Sequence, residues 1–311
     1  MRSSVSNALQ ESGKYQRAIS MTLILISIAF TIATQIVPQI SISKRVKLLE
    51  FETEQVKGVN NSPIRFSKRP ETLFQSGYFV VQIEGQNTFI SLPKADLTNP
   101  LKIIVYSHGS ITSVAPNLND TFMKQLIDYA TFFSTRGYAF IASNEHAQAW
   151  GNELAVNDVK LSIERVLELS QALSQGEEDA QVTKASIATT NYEVYLLGYS
   201  MGGLTSMHYA WQYPQVLKAV ALIAPTLRQN EWTKEKFTLL SEIPIKIWHG
   251  TKDVNIPVTN SQLFQQLAER NDKEIVLDLG NGDTHWTLEN RINQDILEFY
   301  ESSQLNQTFE N

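Results

Sequence analysis

Short apolar runs alternate with amphipathic stretches along most of this chain. "YFVVQIEGQNTFISL" reads as two short strands around a turn at Gly85–Asn87. "LKIIVYSHG", "YAFIAS", "YEVYLLGYS", "LKAVALIAP", "PIKIWHG" and "EIVLDLG" are continuous β-rich runs, the pattern of strands buried on both faces. Between them, 121–137 has helical spacing and a glycine stop. Residues 157–173 form an amphipathic helix with Asn157 as its cap. "MGGLTSMHYAWQYP" is a helix stopped by Pro214, and "NSQLFQQLAER" is another. The last helix opens at about Thr287. The alternation predicts an α/β fold, a doubly wound and mostly parallel sheet of about eight strands, its first pair an antiparallel edge.

One stretch breaks the alternation. Ala18–Val37 is 20 residues without a charge, closed by Pro38. At about 1.5 Å per residue it reaches about 30 Å, the hydrocarbon thickness of a bilayer. It predicts one N-terminal hydrophobic helix, a transmembrane signal anchor, with a cleaved and secreted or periplasmic form as the alternative. No A-x-A site follows it, and the polar leader 1–17 is long for a signal peptide. Arg2, Lys14 and Arg17 precede the span and Lys44, Arg45 and Lys47 follow it, so the positive-inside count nearly ties. Its early position favours placing the following domain outside the cytoplasm. The expected layout is therefore tail 1–17, span 18–37, neck 38–75, α/β domain 76–304 and tail 305–311.

Composition narrows the function. The chain is 42% hydrophobic and 19% charged, enough to fill a core. A net charge of −6 without a basic patch gives no reason to expect nucleic acid. The absence of cysteine excludes disulfides, thiolate metal sites and a cysteine nucleophile. No metal or organic cofactor is expected, and oligomeric state stays open.

The candidate chemistry centres on "GYSMGG", a G-x-S-x-G pattern between a strand and a helix. Glycines at 198 and 202 let strand and helix approach around Ser200, as in a nucleophile elbow. A serine hydroxyl needs a base, and the base needs a carboxylate to orient it. His285, in "LGNGDTHW" after the last strand, is the candidate base. Asp253, in "WHGTKDVNIPV", is the candidate acid, with Asp283 as its competitor. Asp278 sits in a strand pattern and faces solvent or a core edge. His208 lies two helical turns past Ser200, out of reach, and His249 shapes the Asp253 loop. The Met201 amide and that of Gly109 or Ser110, after the strand 101–107, are the candidate oxyanion donors. His108 reads as structural.

"SHGS", "GYSMGG", "WHGTKDVNIPV" and "GDTHW" follow one another in the order seen in α/β-hydrolases. The chain resembles that superfamily over roughly 76–304, and within it the dienelactone hydrolase and platelet-activating-factor acetylhydrolase-like esterases. The resemblance implies an α/β-hydrolase fold with Ser200, Asp253 and His285 as triad. The oxyanion loop lacks the repeated glycines of the H-G-G-G lipases. A serine hydrolase acting on small-molecule or lipid-like esters is expected. A serine peptidase or acyltransferase is the alternative within enzymes, and a catalytically inactive binding module the alternative of another class. The segment 226–243 is read as a small lid, with Trp232 and Phe237 lining an acyl pocket or simply packed. Trp150, with His146 on the loop 143–150, and Trp286 are further candidates for the pocket wall.

Overall fold

The computed structural model describes residues 77–93, 100–175, 191–289 and 292–308. The expected span 18–37 and neck 38–75 lie outside the described residues. Among the described residues no helix is long and apolar enough to cross a membrane.

Eight strands form one sheet: β1 (Tyr78–Ile83), β2 (Gln86–Ser91), β3 (Leu101–Ser107), β4 (Tyr138–Ser143), β5 (Tyr192–Tyr199), β6 (Leu217–Ile223), β7 (Ile245–Gly250) and β8 (Val276–Gly280). Their spatial order is β1-β2-β4-β3-β5-β6-β7-β8. β1 pairs antiparallel with β2 and β2 with β4, and every other pairing is parallel. The expected antiparallel edge and mostly parallel sheet are both present. The first turn sits one residue earlier than expected, at Glu84–Gly85, where both residues have positive φ (46° and 81°). That is the twist a two-residue hairpin needs to match its strands.

The helices are α1 (Thr121–Ser134), α2 (Glu153–Gln175), α3 (Gly202–Gln212), α4 (Lys234–Leu239), α5 (Thr259–Glu269) and α6 (Asn293–Thr308). Strand residues alternate between two cores. On β3, Leu101, Ile103 and Val105 pack with residues of α2, α3 and α5. Ile104 and Tyr106 of the same strand pack with α1 and α6. The sheet is thus covered on both faces, which is why its strands read as unbroken apolar runs.

Two helix starts differ from the periodic reading. α2 begins four residues earlier, because Asn152 and not Asn157 caps it: Asn152 Oδ1 accepts from the amides of Leu154 and Ala155 at 3.0 and 3.1 Å. α6 opens at Asn293 instead of about Thr287. Residues 284–287 close into a turn, with Thr287 Oγ1 accepting from the Thr284 amide at 2.9 Å.

Candidate active site

Three loops leave the C-terminal ends of β5, β7 and β8, and each brings one polar side chain to a common point. β5 runs into Ser200, whose φ of 53° lies in the left-handed region. The Ser200 amide donates to the Ile223 carbonyl at 3.0 Å, and its carbonyl accepts from Thr226 at 2.8 Å. The end of β6 and the loop after it therefore hold the turn on both sides. A Cβ at Gly198 would lie 2.7 Å from Ser206 Oγ, and one at Gly202 would run into the Ser107 carbonyl. Only glycine fits at these two positions.

The loops after β7 and β8 are stitched together. Lys252 donates its amide to the Asp283 carbonyl at 2.8 Å, and Thr251 donates to Gly280 at 3.0 Å. This brings Asp253 beside His285. His285 Nδ1 lies 2.6 Å from Asp253 Oδ2, and His285 Nε2 lies 3.0 Å from Ser200 Oγ. Asp253 is buried, and its Oδ1 accepts two backbone amides, Asn255 and Ile256, each at 2.9 Å. An ionised carboxylate only accepts, so the proton of this pair sits on His285 Nδ1 and leaves Nε2 to face the serine hydroxyl.

The other histidines and acids fall elsewhere. His249 packs under the Asp253 loop: Nδ1 meets Ser261 Oγ at 2.7 Å and Nε2 meets the Ile256 carbonyl at 2.9 Å. Burial lowers its proton affinity. His208 bonds to the Gly151 carbonyl and to Glu231, not to Ser200. His108 lies buried between the carbonyls of Gly109 and Asn144. Asp283 braces its own turn, its Oδ1 accepting from Thr287 Oγ1 at 3.3 Å. Asp278 is exposed and faces Lys246 at 3.4 Å.

Gly109 comes close to the serine. A Cβ there would sit 3.5 Å from Ser200 Cβ and 3.2 Å from the Tyr199 ring. The Gly109 carbonyl is turned away, accepting from the Thr112 amide and hydroxyl at 3.3 and 3.0 Å. Among the described residues, no protein acceptor engages the amides of Met201, Gly109 or Ser110.

The three tryptophans separate. Trp286 stands beside His285, ring centroids 5.2 Å apart, and is 44% exposed. Trp232 is core, packed edge-on to Phe264 at 5.3 Å and against Phe237 at 5.2 Å. Trp232 and Phe237, which lies on the short helix α4, both turn inward and are buried in the core. Trp150 lines a separate cleft of about 630 Å³ with Trp211, His208 and Lys236, and none of Ser200, Asp253 and His285 lines that cleft. His146 pairs with Asp158 at 2.6 Å.

The residues that hold the candidate base carry no motif of their own. Tyr199 donates its hydroxyl to the His285 carbonyl at 3.1 Å. Burial pushes the Tyr199 phenol up, so it remains a donor. Four residues after His285, the buried Glu289 accepts from Tyr106 at 2.6 Å and ties the loop to β3. Burial raises the Glu289 carboxyl, opposed by the Tyr106 hydrogen bond. Only adjacency to the serine and the histidine marks these positions in the sequence. No group of three or more metal-ligating side chains occurs among the described residues.

The sequence matches the model of the phospholipase/carboxylesterase family over residues 102–303. No curated protein matches it. Among solved structures, a putative dipeptidyl aminopeptidase IV from Bacteroides ovatus aligns with a TM-score of 0.52 at 13% identity, over 72% of this chain and 35% of that one. Est1E from Butyrivibrio proteoclasticus aligns at 0.46 and 15%, over 74% and 99%. Esterase 2 from Thermogutta terrifontis aligns at 0.49 and 18%, over 75% and 96%. At 13% identity the first of these likenesses speaks to fold alone. The family match covers most of the chain, from β3 to α6, and the chain belongs to the phospholipase/carboxylesterase family of α/β-hydrolases.

Proposed function

We propose that this hydrolase cleaves carboxylic esters through an acyl-enzyme on Ser200. The observation that carries the reading is the unbroken line from Asp253 through His285 to Ser200, at 2.6 and 3.0 Å, on three strand-end loops. Ser200 Oγ attacks the ester carbonyl carbon as its proton passes to His285 Nε2. Asp253 stabilises the imidazolium that forms. The amides of Met201 and of Gly109 or Ser110 hold the oxyanion, helped by the positive end of α3. Collapse breaks the bond to the leaving oxygen, which takes the proton from His285. Water then attacks the acyl group with His285 as base, releasing the acid and restoring the serine. The reading needs no cofactor.

The family description favours ester substrates, small-molecule or lipid-like, over amides. Trp286, exposed beside His285, is the pocket residue we assign to substrate contact. The uncharged stretch Ala18–Val37 supports a single-span membrane anchor that holds the domain outside the cytoplasm. Protease digestion of sealed vesicles tests this: a domain protected in right-side-out vesicles contradicts that topology.

The test of the chemistry is fluorophosphonate labelling of the full-length protein. Wild type should label and Ser200→Ala should not. A folded wild-type protein that fails to label, or a labelled Ser200→Ala, sinks the reading. A catalytically inactive binding module would give the first of these results. Esters of graded acyl length, run against peptide substrates, separate esterase from peptidase.

A further inference from the structure

The loop after β4 carries a buried carboxyl that the chemistry above leaves unused. Four acidic side chains are buried among the described residues: Glu145, Asp158, Asp253 and Glu289. Asp158 has His146, Asp253 has His285 and two amides, and Glu289 has Tyr106. Glu145 has no solvent exposure, and neither of its oxygens closes a well-formed hydrogen bond. Two hydroxyls act on it at close range, those of Ser107 and Thr205. Both are themselves buried without a well-aligned partner. The carboxyl therefore faces two unpartnered hydroxyls from two different elements and, among the described residues, pairs with no cation.

The backbone is bent to put it there. Glu145, His146 and Ala147 all lie in the left-handed region, at φ 47°, 54° and 57°. Three non-glycine residues in a row in that region persist only where surrounding contacts enforce them. Those contacts are present on both sides. The Asn144 amide donates to Asn87 at 2.9 Å and its side chain accepts from the Val114 amide at 3.1 Å. Farther on, Gly151 packs so closely on α3 that a Cβ would lie 2.8 Å from Leu204. The loop is pinned at either end with Glu145 turned inward.

The two hydroxyls belong to the elements that carry the candidate oxyanion donors. Ser107 ends β3, two residues before Gly109. Thr205 lies in the first turn of α3, four residues after Met201. Ser107 already abuts α3, since its carbonyl occupies the space a Cβ at Gly202 would need. We propose that Glu145 is a positioning residue, held as the neutral acid, that bridges the Ser107 and Thr205 hydroxyls and so fixes the Gly109/Ser110 and Met201 amides relative to one another. A neutral carboxylic acid donates through one oxygen and accepts through the other, so it can join two hydroxyls at once. Oxyanion stabilisation depends on donors being fixed before the charge develops. The proposal rests on the serine-hydrolase reading.

Protonation state matters as much as shape. Ionised Glu145 would place a negative charge behind the site where the oxyanion forms. Burial pushes this carboxyl up to about 8, with Asp158 on α2 adding to the rise and the two hydroxyls opposing it. On the same loop His146 is paired with Asp158, and His108 bonds to the carbonyl of the neighbouring Asn144. α3 presents the Thr205 hydroxyl to it. Turnover should accordingly decline as pH rises through about 8.

The test is kcat and KM for ester hydrolysis by the full-length protein from pH 6 to 10, with fluorophosphonate labelling and thermal melting alongside. Glu145→Gln keeps one donor and one acceptor, so it should retain most of kcat at pH 7 and lose the alkaline decline. Glu145→Ala should lower kcat roughly tenfold to a hundredfold with KM little changed, the scale expected for misplaced catalytic groups. A folded Glu145→Ala with wild-type kcat, or a Glu145→Gln that keeps the wild-type alkaline decline, overturns the proposal. Should Glu145→Ala not fold, Thr205→Val removes the α3 end of the bridge, and an unchanged kcat there overturns it equally. Labelling that does not depend on Ser200 would instead overturn the serine-hydrolase reading. Normal Ser200-dependent labelling with indifferent Glu145 and Thr205 variants overturns the positioning role alone.

Discussion

Replacing Glu145 by glutamine should change how the stability of the fold depends on pH, and the size of the change follows from burial. In the unfolded chain the carboxyl ionises at its ordinary value of 4.5, and in the folded protein only near about 8. Between those values the folded state holds a proton that the unfolded state has released. Raising the pH through this window therefore destabilises the wild-type fold. The penalty is absent well below 4.5, grows across the window and levels off above about 8. At about 1.36 kcal/mol per unit, a gap of this size has a ceiling of about 5 kcal/mol, of which about 3 kcal/mol accrues between pH 5 and pH 8. Glutamine does not titrate and carries no such term. Urea unfolding of both proteins at pH 5, 6, 7 and 8 measures the difference directly. The remaining titratable groups are shared, so their contributions largely cancel. Glu145→Gln should gain on wild type by about 3 kcal/mol over that range, whatever its offset at pH 5. Stability curves that run parallel from pH 5 to pH 8 would refute the claim that Glu145 is buried as the neutral acid.

Three further changes test the candidate site. Asp253→Asn swaps an acceptor for a group that can donate to His285 Nδ1, which favours the wrong tautomer. Steady-state kinetics should show kcat down by roughly 10³–10⁴ with the melting temperature little changed, and a loss below tenfold would count against Asp253 as the orienting acid. Tyr199→Phe removes the 3.1 Å hydrogen bond to the His285 carbonyl; urea unfolding should show a loss of about 1 kcal/mol, and kinetics a several-fold lower kcat. Gly202→Ala puts a methyl group where the Ser107 carbonyl lies. It should abolish Ser200 labelling or prevent folding, whereas wild-type labelling would mean the elbow is looser than described.

The left-handed residues show which parts of this site the sequence could reveal. Eight non-glycine residues have positive φ among the described residues, and six of them, Glu145, His146, Ala147, Trp150, Ser200 and Ala224, lie just beyond the C-terminal ends of β4, β5 and β6. Each is of order 1–3 kcal/mol costlier than an ordinary conformation, so contacts elsewhere must offset it. At Ser200 the offset leaves a local trace. The close approach of β5, β3 and α3 demands glycine at 198 and 202, and that spacing is readable. Asp253 and His285 are readable because the ends of β7 and β8 are marked by apolar runs that stop in glycine. The loop after β4 leaves no such trace. "SNEHAQAW" has the composition of a surface loop, and His146, Ala147, Gln148 and Trp150 are exposed, yet contacts to Asn87, Val114, Asp158 and α3, from four separate parts of the chain, pin it with Glu145 buried. For the same reason the sequence leaves Trp232 open between a pocket wall and packing, since its core partner Phe264 comes from α5, more than thirty residues away. Periodicity reports what a segment buries against the sheet, and it carries nothing about loops that are bent by distant contacts. The strain in the β4 loop is thus better evidence than its composition that the position of Glu145 is under constraint. That constraint acts on the same β3–α3 contact that closes the serine turn.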